Sequence, residues 1–376
     1  MALSAQQVQA RLRDWLEANV AGWSDVRLRP LEVALGSGFS AEIFFVDVDF
    51  VAAGTSHSRT LVVRRQPTDL EVVLGSSLEL QGRMMAALDQ IKVVPVPDWI
   101  GMELDSAVLD LPFLVMGRVD GQSATQRPNY NSEGWLAEMT PAQRGSSWRN
   151  AIEAFAQMSR IDWRADGFNF LARGEWGEPG LDQYLGHLEA WYHGCCKDRV
   201  MPYVDTAMRY IRDHQPAGTE VNVLWGDSTP SNVMFAPDGS VNALIDWELA
   251  ALGPSELDLA WWLYFDDLFS RRFGVKRLDG LPTRDETVEI WEAATRRTAQ
   301  HLDYYDVVVA LRMALVAIGA FDRQVGVGNI APDNKSLNAN FMTAYLAERL
   351  GMDLPVLGPD FYAFMSKLTP VEEKVD

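Results

Sequence analysis

The spacing of apolar residues divides the chain into β-like segments in its first third and mostly helical ones after it. Val8, Leu12, Leu16 and Val20 recur every four residues, which predicts an amphipathic helix leading into the first strand. Ile43 to Phe50 is apolar and partly alternating, and Thr60-Leu61-Val62-Val63-Arg64-Arg65 is rich in β-branched residues, so both predict strands. From Ser77 to Asp89 the period becomes 3.6. Leu78, Gln81, Met85 and Leu88 share one face, while Glu79 and Arg83 form an i,i+4 pair on another. Pro112 to Gly121 reads as an apolar strand that ends in glycine.

Farther along, periodic stretches predict helices over 140–161, 181–214, 286–303, 304–323 and 334–350. Another follows Ser255, read as an N-cap with Asp258 three residues on. One β feature interrupts them. Val221, Val223 and Leu224 end at Gly226, where the chain can reverse, so Asp227 sits on a loop. Asn232 to Phe235 and Val241 to Ile245 then predict a hairpin turning over Pro237-Asp238-Gly239. Asn232 opens its first strand and Asp246 closes its second, which places both at one end, close to Asp227.

That convergence has a chemistry. An Asp, an Asn five residues on and a second Asp after a short hairpin are spaced for phosphoryl transfer with magnesium. Asp227 can accept the proton of an attacking hydroxyl, and Asn232 and Asp246 offer hard oxygens to the metal. Upstream, Leu35-Gly36-Ser37-Gly38-Phe39-Ser40 precedes a strand, so its amides and the hydroxyls of Ser37 and Ser40 can meet phosphate oxygens. Taken singly, each feature has a plainer reading: a Gly-Ser-Gly stretch is an ordinary turn, and Asn or Asp beside a hairpin caps it.

The runs WGDSTPSN (225–232) and LIDWELAALGPSELDLAWW (244–262) resemble the signatures of the aminoglycoside phosphotransferase family, within the protein-kinase-like superfamily. The likeness extends to the branch that includes the kinase-like domains of some acyl-CoA dehydrogenases. It implies an α+β, bilobal protein-kinase-like fold: an N-terminal nucleotide-binding lobe over 1–119 with an antiparallel sheet plus helix, and a larger, mostly helical C-terminal lobe over 120–376. It also implies Asp227 as catalytic base, Asn232 and Asp246 as magnesium ligands, and Asp258 as a support for the catalytic loop. Trp225 stands where the family usually has His, at a position that packs rather than reacts.

By the same resemblance, Gly36, Ser37, Gly38, Phe39 and Ser40 form the loop over the phosphates, and Arg64 is the cation that grips them. Arg suits bidentate phosphate contacts, and Arg65 points to the opposite strand face. Gln81 takes the place of the carboxylate that usually orients this cation, and plain core-edge filler is an equal reading of it. The stretch from Pro112 resembles the family's hinge, with Met116 lining the pocket and the backbone of Gly117, Arg118 and Val119 against the purine of ATP or GTP. Flanking helices hold the acceptor in the family, which makes Trp191, Tyr192, Trp262, Phe265, Asp266, Asp267, Tyr304 and Tyr305 candidates. The acceptor implied is a small-molecule hydroxyl, either aminoglycoside-like or a hydroxyacyl-CoA or other lipid-like alcohol. A nucleotide-binding regulatory protein without turnover is the reading from a different class.

Composition narrows the partners. The net charge of −19 argues against nucleic acid, whose phosphates call for clustered cations. The apolar run from Val307 to Phe321 contains Arg312 and is too short to span a bilayer, so no membrane association is expected. Two cysteines, Cys195 and Cys196, are adjacent and build no disulfide framework, which points to a reducing cytoplasm. Five scattered histidines and these thiols lack tetrahedral zinc spacing. The expected assembly is a monomer or homodimer.

Overall fold

Alternation in the first part of the chain becomes one antiparallel sheet. The computed structural model describes residues 3–33, 42–66 and 73–362. Strands β1 (Trp23–Leu28), β2 (Glu32–Val33), β3 (Glu42–Ala52), β4 (Thr55–Arg65), β5 (Trp99–Glu103) and β6 (Phe113–Gly117) assemble in the order β1-β3-β4-β6-β5, with β2 also on β3. Register sets Arg64 opposite Ile43 on β3 and Leu114 on β6. Successive side chains on a strand face opposite ways, and the two arginines do diverge: Arg65 pairs with Glu42 at 3.2 Å, while Arg64 turns toward the helical part.

Helix α1 (Ala5–Asn19) starts at a capping box between Ser4 and Gln7. Its buried stripe, Val8, Leu12, Trp15 and Leu16, packs with Val46, Val48, Leu61, Val63, Phe113 and Val115 of the sheet. Helix α2 (Leu78–Ile91), capped by Ser77, buries Met84, Met85 and Leu88 in a second, larger core shared with the rest of the chain.

That core belongs to α3 (Trp135–Glu138), α4 (Pro141–Ala156), α5 (Leu181–Cys196), α6 (Pro202–Asp213), α7 (Glu256–Asp267), α8 (Arg284–Thr295), α9 (Leu302–Gly326) and α10 (Phe341–Arg349). Between α6 and α7 lie two small antiparallel sheets. In one, β7 (Asn222–Leu224) pairs with β10 (Ala251–Gly253); in the other, β8 (Val233–Phe235) pairs with β9 (Val241–Leu244). Helix α9, 25 residues long, has the length and composition to cross a membrane, but 72% of its apolar window is buried inside the protein. It packs against α5, α6, α7 and α10 as the central helix of this part.

Several boundaries differ from the sequence expectation, each for a local reason. The stretch 181–214 is two helices, because Lys197 adopts a left-handed φ of 51° and Pro202 restarts the helix. Helix α8 stops before Arg296, and α9 starts after His301, both at positive φ. The expected helix over 334–350 is a 3-10 turn followed by α10, which Asn340 caps. Ser255 does precede α7, but its hydroxyl is buried without a partner and makes no cap hydrogen bond.

Leu12 is fully buried between α1 and the sheet. Leu12→Ala should therefore lower the unfolding free energy by about 2–5 kcal/mol in urea titration; a loss below about 0.5 kcal/mol, the scale of an ordinary surface substitution, would mean that α1 does not dock as described.

Candidate functional site

The loop after β7 is built around Gly226. Its φ is 84°, and a Cβ there would lie 1.9 Å from the Leu249 carbonyl oxygen, so only glycine can make this turn. Trp225 before it is fully buried, and its indole donates to the Ile245 carbonyl at 2.9 Å. Asp258, in the first turn of α7, accepts from the Trp225 and Gly226 amides at 2.8 and 2.9 Å, and its own carbonyl accepts from the Ser228 hydroxyl at 2.7 Å. Burial pushes the Asp258 carboxyl up to about 6, against those two amides.

Asp227 stands on the loop so fixed. Its Oδ1 accepts from Trp261 Nε1 at 2.8 Å, and its Oδ2 from Asn232 Nδ2 at 2.7 Å. Burial, and then the negative charge of Asp246, raise its carboxyl to about 6; Arg312 and the two donors pull the other way. A carboxylate with such an affinity for protons suits a general base near neutral pH.

Hairpin register delivers the other two groups. The Ile245 amide donates to the Asn232 carbonyl at 2.9 Å, which closes the β8–β9 ladder beside Asp227. Asp246 follows in a left-handed conformation, φ 61°, a strained geometry for a residue with a Cβ. Asn232 spends its Nδ2 on Asp227, and Asp246 Oδ1 accepts from Arg64. Their remaining side-chain oxygens are hard donors without a hydrogen-bond partner among the described residues. No cluster of three or more His, Cys, Asp or Glu suited to a metal occurs among the described residues. Two protein oxygens completed by phosphate oxygens are the donor set magnesium accepts, so these residues fit that ion.

Arg64, 8% exposed, bridges the sheet to this hairpin. It pairs with Asp246 at 2.9 Å and with Glu248. Gln81 is not its partner: it is 2% exposed on the core face of α2, and its Oε1 makes no hydrogen bond. The carboxylate that orients the cation comes instead from two residues beyond Asp246. Burial, then Asp246, raise the Glu248 carboxyl to about 7, and Arg64 opposes them. Glu248 was visible in the sequence only as part of the Asp-Trp-Glu run.

The expected hinge is narrower than the sequence suggested. The Gly117 amide donates to the Asp98 carbonyl and the Arg118 amide to that of Thr60, at 2.9 and 3.0 Å. Of the three amides only that of Val119 makes no hydrogen bond among the described residues. Met116 is half-buried against the larger core, and the Arg118 guanidinium lies over the Phe45 ring at 4.9 Å. Gly36, Ser37, Gly38, Phe39 and Ser40 lie outside the described residues.

Most of the aromatic and acidic candidates for acceptor binding serve the fold. Trp262 and Tyr305 are core residues; the Tyr304 hydroxyl donates to the Ile211 carbonyl and that of Tyr192 to Asp205. Asp266 pairs with Arg277, and Asp267 with Arg271 and Arg272. Trp261 and Arg312, which reach the loop after β7 as Asp258 does, were not among these candidates. The available signal was a lone arginine inside the apolar run of α9.

Known proteins carry the same architecture. Human acyl-CoA dehydrogenase family member 11 is 22% identical over 345 residues, which are 88% of this chain and 41% of that protein. The probable acyl-CoA dehydrogenase IBR3 of Arabidopsis thaliana is 25% identical over 60% of this chain and 27% of its own length. The chain thus spans well under half of the curated relatives it matches. Among solved structures, a Ralstonia eutropha protein provisionally named an aminoglycoside phosphotransferase superimposes with a TM-score of 0.67 at 23% identity, covering 91% of this chain and 98% of that one. A macrolide 2'-phosphotransferase type I superimposes at 0.53 and 18% identity, covering 95% and 100%. The GDP complex of aminoglycoside 2'-phosphotransferase-IIIa does so at 0.52 and 14%, covering 96% and 99%. At these identities the superpositions establish a shared fold. The sequence model of the phosphotransferase enzyme family (APH) matches residues 33–294, well over half of the chain, and on that match this protein belongs to the phosphotransferase enzyme family.

Proposed function

We propose that this chain transfers the γ-phosphoryl group of ATP or GTP to a hydroxyl of a small molecule. The observation that carries the reading is the Asp227 carboxylate, held at both oxygens beside the Asn232 and Asp246 oxygens. Asp227 accepts the acceptor's proton as the acceptor oxygen bonds to phosphorus and the bond to the β-phosphate oxygen breaks. Asn232 and Asp246 hold magnesium, which when bound neutralises phosphate charge. Arg64 supplies a fixed cation at the same place, and the Val119 amide meets the purine. Positioning and charge neutralisation supply most of the rate.

Support for the nucleotide comes from solved relatives of this fold, crystallised with GDP, with ADP and with AMP-PNP. Two acceptor classes are in keeping with the chain. The net charge of −19 suits a cationic, aminoglycoside-like alcohol. The acyl-CoA dehydrogenase names of the curated relatives suit a hydroxyacyl thioester. The intact Asp227, Asn232 and Asp246 weigh against a regulatory protein without turnover. The two free cysteines are in keeping with a reducing cytoplasm, and we place the enzyme there as a monomer or homodimer.

Purified protein with magnesium and either ATP or GTP, screened against aminoglycosides, macrolides and hydroxyacyl-CoAs for nucleoside diphosphate release, tests the reading. Acceptor-dependent release in one class supports it; binding of nucleotide with no phosphorylated acceptor supports the regulatory alternative. Asp227→Asn should lower turnover by about 10²-fold or more while nucleotide binding persists. Asp246→Ala should abolish magnesium-dependent nucleotide binding in calorimetry, and identical binding by the two variants would contradict this division of roles. Because Asp227 acts as the carboxylate, kcat/KM should rise with pH and level off above about 6, with bound magnesium drawing this limb lower. An acid limb above pH 7 would assign the proton to another group.

A further inference from the structure

Arg312 lies in the middle of α9 and is 5% exposed. Its hydrogen bonds go to neutral groups: Nη1 donates to the Gly226 carbonyl at 2.6 Å and meets the Tyr184 hydroxyl at 3.2 Å. Its guanidinium covers the Trp261 ring at 4.1 Å. None of the ion pairs among the described residues includes it. A buried cation without a paired carboxylate is expensive, and an apolar side chain of similar volume would fill the space at lower cost. Core packing therefore does not account for an arginine here.

Two of the three groups it touches bear on Asp227. Gly226 is the residue immediately before it. Trp261 donates its indole N–H to Asp227 Oδ1. Asn232 already holds Oδ2, so the indole bond decides whether the carboxylate can rotate. A tryptophan ring pinned under a guanidinium keeps its N–H aimed at one point, and cation–π contacts of this kind strengthen when buried. The charge also has a place: Asp227, Asp246, Glu248 and Asp258 crowd together, Arg64 faces Asp246 and Glu248, and Arg312 acts on Asp227 and Asp258.

We propose that Arg312 is a positioning residue for phosphoryl transfer, holding Asp227 in its proton-accepting orientation through the Trp261 indole and the Gly226 carbonyl. This rests on Asp227 being the base. The role is mechanical and electrostatic, with no contact to substrate.

The test reads magnesium-dependent phosphate release from ATP and from GTP, with water as acceptor, in Arg312→Gln, Arg312→Lys, Trp261→Phe, the double variant Arg312→Gln/Trp261→Phe, and Asp227→Asn. Arg312→Gln and Trp261→Phe should each lower kcat roughly ten- to a hundred-fold, the range for partners that orient a functional side chain. The nucleotide KM should stay within about two-fold, since ground-state binding is untouched. Arg312→Lys should recover part of the loss, and the double variant should be no slower than the slower single one, because both act on one bond. Unchanged kcat in folded Arg312→Gln overturns the inference, as do losses that multiply in the double variant. If Arg312→Gln does not fold, Trp261→Phe decides, since it keeps an aromatic face toward the guanidinium and lacks the N–H donor; full kcat there overturns the proposal. Loss in Asp227→Asn without loss in the other variants sinks this inference alone. Wild-type release by Asp227→Asn removes Asp227 as the base and this inference with it; no release from the wild type, with water or with any acceptor of the screen, removes the phosphotransfer reading as well.

Discussion

Two backbone amides, those of Trp225 and Gly226, point into the protein, and one carboxylate answers both. A buried amide left unpaired costs about 1–3 kcal/mol, so the Asp258 contact is a strict condition on the path of the loop. Everything else in the site is referenced to it. Asp227 follows Gly226, Asn232 reaches back to Asp227, and the Trp225 indole ties the loop to Ile245, between β9 and Asp246.

The second constraint is electrostatic. Four carboxylates near one another would repel strongly in a poorly solvated site. Arg64 and Arg312 approach them from opposite parts of the chain, one from the sheet and one from the central helix. The Arg64 contacts also join the sheet to the hairpin, so the cation expected to meet phosphates is at the same time a bridge between two parts of the fold.

How much of this the sequence revealed depends on the range of the interaction. The hairpin from Asn232 to Asp246 was legible because its turn, strands and end residues lie within one short stretch. The face of α2 was legible too, since Gln81 is buried as its period requires. Which of the two readings of Gln81 holds, a partner for Arg64 or core-edge filler, was not legible, because periodicity gives a face and says nothing of what lies opposite it; its buried, unbonded Oε1 fits the second. Glu248, Trp261 and Arg312 act through contacts across long stretches of sequence or through ring geometry; the Asp-Trp-Glu run and a lone arginine in an apolar run mark two of the residues but not what they touch. The hinge narrowed for a related reason: whether an amide is free depends on the partner strand and loop, as Asp98 and Thr60 show for Gly117 and Arg118.

Helix α9 begins at Leu302, beyond the last residue matched by the family's sequence model. Yet it runs through the larger core and carries the arginine that holds the Gly226 carbonyl. The stretch that the family model covers therefore leaves out a helix on which the larger core and the Gly226 loop both depend. A chain cut at residue 294 would expose the apolar faces of α5, α6 and α7 that this helix covers, and would leave the Gly226 carbonyl without its donor.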